Sequence, residues 1–392
     1  MGGGVRDLLL GREPKDFDIA TDAHPEDVKR VFRNCRLIGR RFRLAHVHFG
    51  REVIEVATFR AGQDGSEQRD QETENGRILR DNVYGTIEED ALRRDFTVNA
   101  LYYNIEDFSV VDYTDGMQDL NACVLRLLGD PEQRYREDPV RMLRAVRFAS
   151  KLGFSINPAC EEPIFRLGSL LEDIPPARLF DEMLKLFLQG TALQAFEKLR
   201  HYDLFRQLFP ITDECLSHEE NMFPITFVAN GLKNTDARVR QDKPVTPAFL
   251  FAVLLWEPVR RLADEIMATG ERPYPAMQEA ASEILAEQIQ LVSIPKRFSM
   301  QMRDIWCLQH RFEQREGKRP HRLHSHPKFR AAYDFLLLRA ESGEADPELA
   351  EWWTKFQEVN QDERNRLTKT NNRPKRRRRR RPKSPKKSGE NA

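Results

Sequence analysis

The sequence contains few cysteines and no long apolar run. Its five cysteines, scattered through 392 residues, form no CxxC pair and are odd in number. They argue against a disulfide framework and against a cysteine-ligated zinc site. No stretch of about 18 apolar residues occurs, so we expect no membrane span, and the N-terminus lacks the apolar core of a signal peptide. These absences favour a protein of the reducing cytoplasm.

The chain has little net charge, but its positive and negative residues are unevenly distributed along the sequence. The formal net charge is +1 at pH 7, and hydrophobic residues make up 40% of the chain, enough for two or three packed domains. Residues 373–392 hold eleven lysines and arginines and one glutamate, a net of +10, which leaves −9 for residues 1–372. This final segment is too polar to bury apolar surface, so we expect it to be disordered.

The first 120 residues carry strand patterns interrupted by one clear helix. Strands are predicted at "FDIAT", "RLAHVHFG" and "REVIEVATFR", which are rich in β-branched and aromatic residues. The last two are joined by a Gly-Arg pair that suits a hairpin turn. A helix is predicted over "HPEDVKRVFRN", with proline and acidic residues in its first turn. Residues 61–80 are polar and glycine-dotted, so we expect a mobile surface loop there.

From about residue 131 the apolar residues follow the helical period. The predicted helices are "DPVRMLRAVRFASKLGF", "IPPARLFDEMLKLFLQG", "TPAFLFAVLLWEPVRRLADEIM" and "HPKFRAAYDFLLLRAE". We therefore expect an α+β protein, in which an N-terminal part with a small mixed β-sheet and helices is followed by an all-α region and a disordered basic tail.

Two aspartates near the N-terminus, Asp16 and Asp18, stand two residues apart in "KDFDIAT". In a strand, both side chains would point to the same face, where their charges repel unless a cation lies between them. Carboxylate oxygens suit Mg²⁺ or Mn²⁺. Glycines just upstream let backbone N–H groups approach an anion, so the segment suggests metal-assisted chemistry on a nucleoside triphosphate. An isolated Asp-x-Asp would more often be a solvated, idle pair.

Four segments, in order, resemble the motifs of the class II nucleotidyltransferase family, which comprises poly(A) polymerases and tRNA CCA-adding enzymes. They are "GGGVRDLLLGREPKDFDIAT", "EEDALRRDFTVNALYYN", "REDPVRMLRAVRFASKLGF" and "DIPPARLFDEMLKLF". The resemblance extends to about residue 340. It implies a nucleotidyltransferase head at 1–125, a nucleobase-binding helical neck at 126–200, a helical RNA-binding body and C-terminal region at 201–345, and a linker with the basic tail at 346–392. Family members have a strand before the glycines, so an N-terminal strand is expected to be missing here.

The resemblance also assigns the catalytic carboxylates. Asp16 and Asp18 are implied as ligands of two metal ions, one acting on the RNA 3′-hydroxyl and the other on the triphosphate. Asp95 is favoured as the third catalytic residue. Glu55, in an otherwise apolar strand, is the alternative ligand or neighbouring group, unless it forms an ordinary salt bridge with Arg60.

A set of glycines and charged residues is implied to bind the nucleotide: Gly3, Gly4, Arg6, Arg94, Asp138, Arg141 and Arg144. Asp138 and Arg141, three residues apart on one helix face, would read the Watson–Crick edge of the base, and Arg144 would contact the triphosphate. By periodicity alone, such a pair would be a helix salt bridge. Arg94 is favoured over Arg93 as a phosphate or ribose clamp, Asn99 would orient its motif, and Arg6 could instead form a structural ion pair with Asp7.

Two basic segments favour poly(A) synthesis on RNA. The stretch "GRRFRLAHV" resembles bacterial poly(A) polymerases, and its Arg40, Arg41 and Arg43 would restrict base reading to adenine. The arginines of the tail would bind RNA phosphates without sequence preference: Arg376, Arg377, Arg378, Arg379, Arg380 and Arg381.

The expected activity is template-independent addition of adenylate from ATP to RNA 3′ ends, with Mg²⁺ or Mn²⁺, in mRNA processing and RNA decay. Expected partners are mRNA, small regulatory RNA and tRNA, with RNA-degradation factors as a further class. The alternatives are a tRNA CCA-adding enzyme and a non-catalytic RNA-binding protein on the same fold.

Overall fold

A computed structural model describes residues 1–39, 43–61, 83–220, 223–224 and 226–369. The chain divides into two compact units, Met1–Trp306 and Cys307–Ala392. The protein has the α+β architecture predicted from its sequence, with small sheets near the N-terminus and helices over most of the remainder. None of the helices in the described ranges is long and apolar enough to cross a membrane.

A four-stranded mixed sheet organises the N-terminal region. Its strands are β1 (Asp18–Thr21), β2 (Cys35–Ile38), β3 (Leu44–Phe49) and β4 (Glu52–Thr58), in the spatial order β1-β4-β3-β2. β1 runs parallel to β4, whereas β2, β3 and β4 form an antiparallel meander. The three predicted strands and the β3–β4 hairpin are confirmed, and Gly50 in the turn has a positive φ of 64°.

Two short helices accompany this sheet. They are α1 (Gly3–Leu9) and α2 (Pro25–Val31). Val28 of α2 packs with Ala45, Val47 and Val56 in a small buried core, because alternate residues of β3 and β4 point to that face. The predicted α2 is confirmed, and its apolar face holds one side of the sheet away from water.

A second group of short elements follows residue 82. Its members are α3 (Ile87–Leu92), a 3₁₀ turn (Thr97–Asn99), β5 (Leu101–Tyr103), β6 (Val110–Asp112), α4 (Gly116–Asn121) and β7 (Val124–Leu125). Thr86 caps α3: its hydroxyl accepts from the Glu89 amide, and the Glu89 carboxylate accepts from the Thr86 amide. This cap fixes the start of the segment that carries Arg93, Arg94 and Asp95.

Helices dominate the chain from residue 131 to 312. They are α5 (Pro131–Glu137), α6 (Val140–Leu152), α7 (Pro158–Leu167), α8 (Pro176–Phe187), α9 (Ala192–His201), α10 (Leu204–Leu208), α11 (Pro210–Leu216), α12 (Phe227–Arg240), α13 (Pro247–Leu254), α14 (Trp256–Ala268), α15 (Pro273–Leu291) and α16 (Lys296–Phe312). Three two-residue strands interrupt them: β8 (Ser155–Ile156), which pairs with β7, and the antiparallel β9 (Glu219–Glu220) and β10 (Phe223–Pro224).

The second unit contains α17 (Arg319–His324), α18 (Phe329–Glu341), α19 (Pro347–Glu358) and α20 (Gln361–Leu367). Trp353 and Phe356 of α19 are fully buried against Phe312 and Phe329. The predicted linker from residue 346 is therefore wrong as far as residue 367, because this segment contributes aromatic side chains to a core. The predicted surface loop lies outside the described residues apart from residue 61, and so does the basic tail beyond residue 369.

Candidate active site

A pocket of about 370 Å³ in the first unit is lined by side chains of both charges. Its acidic residues are Asp18, Glu55, Asp90, Asp95 and Asp138, and its arginines are Arg60, Arg93, Arg94, Arg141 and Arg144. Such a lining suits a ligand that combines negative phosphates with bound cations. The pocket thus brings together most of the residues that the sequence motifs single out.

Two strands supply the acidic wall. Asp18 begins β1 and lies opposite Glu55 of β4 in the parallel register. Burial raises the pKa of the Asp18 carboxyl, and the negative charges of Glu55 and Asp16 raise it further. Three carboxylates therefore act on one another at this end of β1, as is typical of a site built for a cation.

Asp16 is positioned differently from the sequence prediction. It precedes β1, which begins at Asp18, and it is not among the residues that line the pocket, although its charge acts on Asp18. Helix α1 passes close to the loop that carries it: a Cβ at Gly4 would lie 3.3 Å from the carbonyl oxygen of Asp16. Gly4 therefore permits a close approach that a side chain would disturb.

The donor set fits a hard divalent cation. Asp16, Asp18 and Glu55 offer only carboxylate oxygens, the ligands preferred by Mg²⁺ and Mn²⁺. Burial first, and then the charges of Glu55 and Asp16, raise the pKa of Asp18, and a bound cation would offset the repulsion among these charges. Among the described residues, no three acidic, histidine or cysteine side chains are grouped closely enough to hold a metal by themselves. The site therefore fits an ion that takes further oxygen ligands from water or phosphate.

Sequence reasoning missed His46, which neighbours the acidic wall. His46 lies opposite Glu55 in the β3–β4 register, and its Nε2 is 3.0 Å from Glu55 Oε1. Glu55 thus has His46 on one side and Asp18 on the other. The alternation of β3 could have revealed this partner, because residues directly opposite on neighbouring strands share a face.

Asp95 lies in the pocket but is held by a cation. Its Oδ2 accepts hydrogen bonds from Nε and Nη2 of Arg144, the former at 2.8 Å, and its Oδ1 accepts from Asn99 Nδ2 at 3.2 Å. Although burial alone would raise it, the Asp95 pKa is lowered, chiefly by Arg144. The structure brings Glu55 rather than Asp95 opposite Asp18, and the catalytic role of Asp95 stays a prediction.

Arg94 forms part of a buried polar cluster. It donates from Nη2 to Asp90 Oδ2 and from Nε to the Tyr102 hydroxyl, both at 2.9 Å, and that hydroxyl donates to Asp90 at 2.5 Å. These bonds leave the guanidinium at the pocket wall with little freedom to move. Contact between Arg94 and a phosphate or ribose stays a prediction.

The predicted base-reading pair does not share a helix. Pro139 follows Asp138, and α5 ends at Glu137 while α6 begins at Val140. The prediction that both residues lie on one helix face is therefore wrong, because a residue before proline is driven away from helical geometry. Asp138 and Arg141 nevertheless both line the pocket.

Each member of this pair has its own partner. Asp138 Oδ2 accepts from Arg178 Nη2 at 2.7 Å, and Arg141 Nη1 donates to Glu137 Oε2 at 2.8 Å and to the Arg134 carbonyl at 2.7 Å. Sequence reasoning missed Glu137, Arg134 and Arg178. Arg178 lies in the first turn of α8, within "PPARLF", so the proximity of two separate motifs was its only signal.

The glycine segment is helical rather than an open loop. Gly3 and Gly4 form the first turn of α1, and Arg6 is 2% exposed. Arg6 donates to Asp7 and to Asn99 Oδ1, and Asp7 pairs with Lys151 at 3.1 Å. The structural ion pair between Arg6 and Asp7 is confirmed, whereas direct contact of Gly3, Gly4 or Arg6 with a nucleotide stays a prediction.

Most of the arginines predicted to select the base or bind RNA lie outside the described residues. Arg43 forms an exposed ion pair with Glu26 at 2.6 Å. Arg40, Arg41 and the tail arginines at 376–381 lie outside the described residues. Their predicted roles in base selection and RNA binding remain predictions.

Family models match three parts of the chain. One described as the poly A polymerase head domain matches residues 1–126. A second, described as a probable RNA and SrmB-binding site of polymerase A, matches residues 153–216, and a third, described as the polymerase A arginine-rich C-terminus, matches residues 269–386.

Whole-chain relatives point the same way. Poly(A) polymerase I of Salmonella typhi is 53% identical over 91% of this chain and 78% of its own length. Poly(A) polymerase I of Haemophilus influenzae is 48% identical over 94% of this chain and 82% of its own length. A crystal structure of the Bacillus stearothermophilus CCA-adding enzyme in complex with CTP superposes with a TM-score of 0.58 and 26% identity, covering 91% of this chain and 77% of that one.

Proposed function

The chain belongs to the poly(A) polymerase I family, and from that premise we propose that it is a polynucleotide adenylyltransferase that extends RNA 3′ ends with adenylate from ATP without a template. One observation carries the proposal: the pocket joins the carboxylates of Asp18 and Glu55 to a row of arginines. This arrangement offers separate places for cations and for a triphosphate.

The acidic wall supports the use of Mg²⁺ or Mn²⁺. We propose that Asp16, Asp18 and Glu55 supply the protein ligands. A divalent ion bound there would lower the pKa of the RNA 3′-hydroxyl and neutralise charge on the triphosphate. The parallel pairing of β1 with β4 holds Asp18 opposite Glu55, so the sheet rather than a loop would position these two ligands.

The arginine wall would hold the triphosphate. Arg144 reaches the pocket from α6, and its bonds to Asp95 keep the guanidinium in a fixed orientation. In the reaction, the 3′-oxygen forms a bond to the α-phosphorus while the bond to pyrophosphate breaks. Positive groups that are already aligned bind the triphosphate before this step and keep its charge neutralised throughout it.

The adenine would be read by Asp138 and Arg141. A carboxylate and a guanidinium offer an acceptor and donors to a base edge. Arg178 and Glu137 hold these side chains through bonds of 2.7 and 2.8 Å, so the edge is presented in one arrangement. Choice of ATP over the other nucleotides would follow from the polar groups left unpaired by a wrong base.

The cysteines and the RNA-binding match bear on the cellular compartment and the partners of the protein. All five cysteines are free thiols, which supports a reducing compartment, and we place the reaction in the cytoplasm. The match of residues 153–216 to a probable RNA and SrmB-binding site supports an RNA and protein docking region on α7–α11. We propose mRNA, small regulatory RNA and tRNA as substrates, RNA-degradation factors as partners, and mRNA processing and decay as the context.

A nucleotide-addition assay tests the activity. The purified chain is incubated with Mg²⁺, a labelled short RNA or a tRNA lacking its CCA end, and each nucleoside triphosphate in turn. We expect a ladder of added adenylates on both RNAs with ATP and little addition with CTP. Addition of C, C and A followed by arrest would identify a CCA-adding enzyme, and RNA binding without extension would identify a non-catalytic protein.

A further inference from the structure

Three guanidinium groups surround the ring of Phe148 on α6. The Cζ atoms of Arg6, Arg144 and Arg147 lie 5.3, 5.3 and 4.9 Å from the ring centroid. These distances fall within the range in which a cation is attracted to the negative face of an aromatic ring. Phe148 therefore contacts cations from two separate helices, α1 and α6.

These arginines serve different ion pairs. Arg6 pairs with Asp7, Arg144 with Asp95, and Arg147 with Glu182 of α8 at 3.1 Å. Phe148 is consequently the common neighbour of three ion pairs: one lies within α1, one joins α6 to the Asp95 segment, and one joins α6 to α8. A substitution of this ring would alter the surroundings of all three ion pairs.

Three like charges cannot gather without compensation. Burial lowers the pKa of the Arg147 guanidinium, and the positive charges of Arg144 and Arg6 lower it further. The negative face of an aromatic ring among these guanidinium groups attracts them and offsets part of their mutual repulsion. It does so without adding a carboxylate, which would compete with an incoming phosphate for the arginines.

The ring itself is held in place. Phe148 meets Phe96 edge-to-face, with ring centroids 5.7 Å apart and planes at 77°. Phe96 is 1% exposed and directly follows Asp95. The ring and the Asp95–Arg144 ion pair therefore share one support, and a shift of the ring would displace the guanidinium.

We propose that Phe148 is a positioning residue for the triphosphate: its ring holds Arg144 at the pocket wall through a cation–π contact. This inference rests on the proposed function, because it presumes that Arg144 contacts the nucleotide. Arg144 lines the pocket, whereas neither Arg6 nor Arg147 is among the lining residues. The nucleotide-binding effect of the ring should therefore pass through Arg144.

Graded fluorination separates the electrostatic contact from packing. Phenylalanines that carry one, two or three ring fluorines keep nearly the same shape but progressively weaken the negative ring face. Incorporated at position 148, they should raise KM for ATP in steps, reaching about three- to tenfold, with kcat within about twofold of wild type. The matched control is the same series at Phe187, a fully buried ring of α8 with no described cation over it.

The outcomes distinguish the two proposals. If the wild-type chain adds no adenylate, the proposed function fails before Phe148 is tested. If wild type is active but KM does not change along the Phe148 series, the positioning role is overturned. An equal response of the Phe187 series would also overturn it. Phe148→Leu and Phe148→Trp, with thermal melts to confirm folding, give a second measure: KM should rise for leucine and stay near wild type for tryptophan.

Discussion

At the scale of single residues, Asp18 and Glu55 lie opposite each other on the paired strands β1 and β4. Asp18→Ala or Asp16→Ala should reduce adenylate addition by about three orders of magnitude or more, since a bound ion supplies several kcal/mol to the transition state. Circular dichroism should show a folded protein. Extension by either variant near the wild-type rate in Mg²⁺ would contradict the metal assignment.

The raised pKa of Asp18 predicts that the stability of the protein depends on pH. The folded-state pKa of Asp18 is raised above its ordinary 3.8, so ionised Asp18 destabilises the metal-free protein at neutral pH. The stabilising effect of the neutral form is complete below about pH 4 and is lost as pH rises through the folded-state pKa. Asp18→Asn should therefore melt at a higher temperature than wild type at pH 7 in EDTA.

Two comparisons test whether ionised Asp18 destabilises the metal-free protein. The difference in melting temperature between Asp18→Asn and wild type should shrink toward zero below about pH 4, where both side chains are neutral. Added Mg²⁺ should stabilise wild type more than the variant. A variant that melts below wild type in EDTA at every pH would show that the carboxylate stabilises the fold.

Base selection also depends on individual side chains. Asp138→Ala should lower kcat/KM for ATP and narrow its advantage over CTP by roughly tenfold or more, because an acceptor for the base is lost. Arg178→Gln should produce a smaller change in the same direction, since it frees Asp138 without removing it. Nucleotide competition assays measure both, and full ATP preference in Asp138→Ala would contradict the assignment.

The sequence predicted which residues meet in the pocket better than it predicted their partners. Asp18, Asp95, Asp138, Arg141 and Arg144 all reach one pocket, as their motifs implied. Sequence spacing cannot show which charged groups from distant segments meet. Arg144 contacts Asp95 and Arg178 contacts Asp138 only because helices α6 and α8 pack where they do.

At the scale of elements, α1 passes close to the loop that carries Asp16. Gly4→Ala places a Cβ 3.3 Å from the Asp16 carbonyl oxygen, so this loop must shift by a few tenths of an ångström. We expect kcat to fall about tenfold through misplacement of a ligand, while the helix gains up to about 1 kcal/mol of intrinsic propensity. Steady-state kinetics and thermal melts report the two effects separately.

Gly3→Ala provides the comparison. A Cβ there would be 3.6 Å from the Arg6 guanidinium, an ordinary contact with a flexible side chain. Gly3→Ala and Gly4→Ala gain the same helix propensity, so we expect Gly3→Ala to lose less kcat than Gly4→Ala. An equal loss in both variants would place the effect in α1 as a whole rather than at Asp16.

Element boundaries were predictable where local chemistry decides them. Strands β3 and β4, the turn at Gly50 and helix α2 follow from alternation, glycine and proline signals. The helix break at Pro139 also had a local signal that helical periodicity obscured. The burial of α19 had none, because Trp353 becomes part of a core only through contact with Phe312 and Phe329.

At the scale of the whole molecule, an acidic body of net −9 is followed by a tail segment of net +10. Deleting residues 373–392 should weaken RNA binding and make the plot of log K against log salt shallower by about 0.7 per lost phosphate contact on single strands. KM for ATP should stay near its wild-type value. Unchanged affinity and salt dependence would leave the tail with another role.

The order β1-β4-β3-β2 has a consequence for synthesis of the chain on the ribosome. Asp18 emerges before Glu55, which joins it only after β2, β3 and β4 have left the exit tunnel, because β1 pairs with β4 and the other two strands lie between them in the chain. A nascent chain that ends before residue 52 contains none of β4 and has no strand to pair with β1. The acidic pair can therefore form only after β4 has been synthesised.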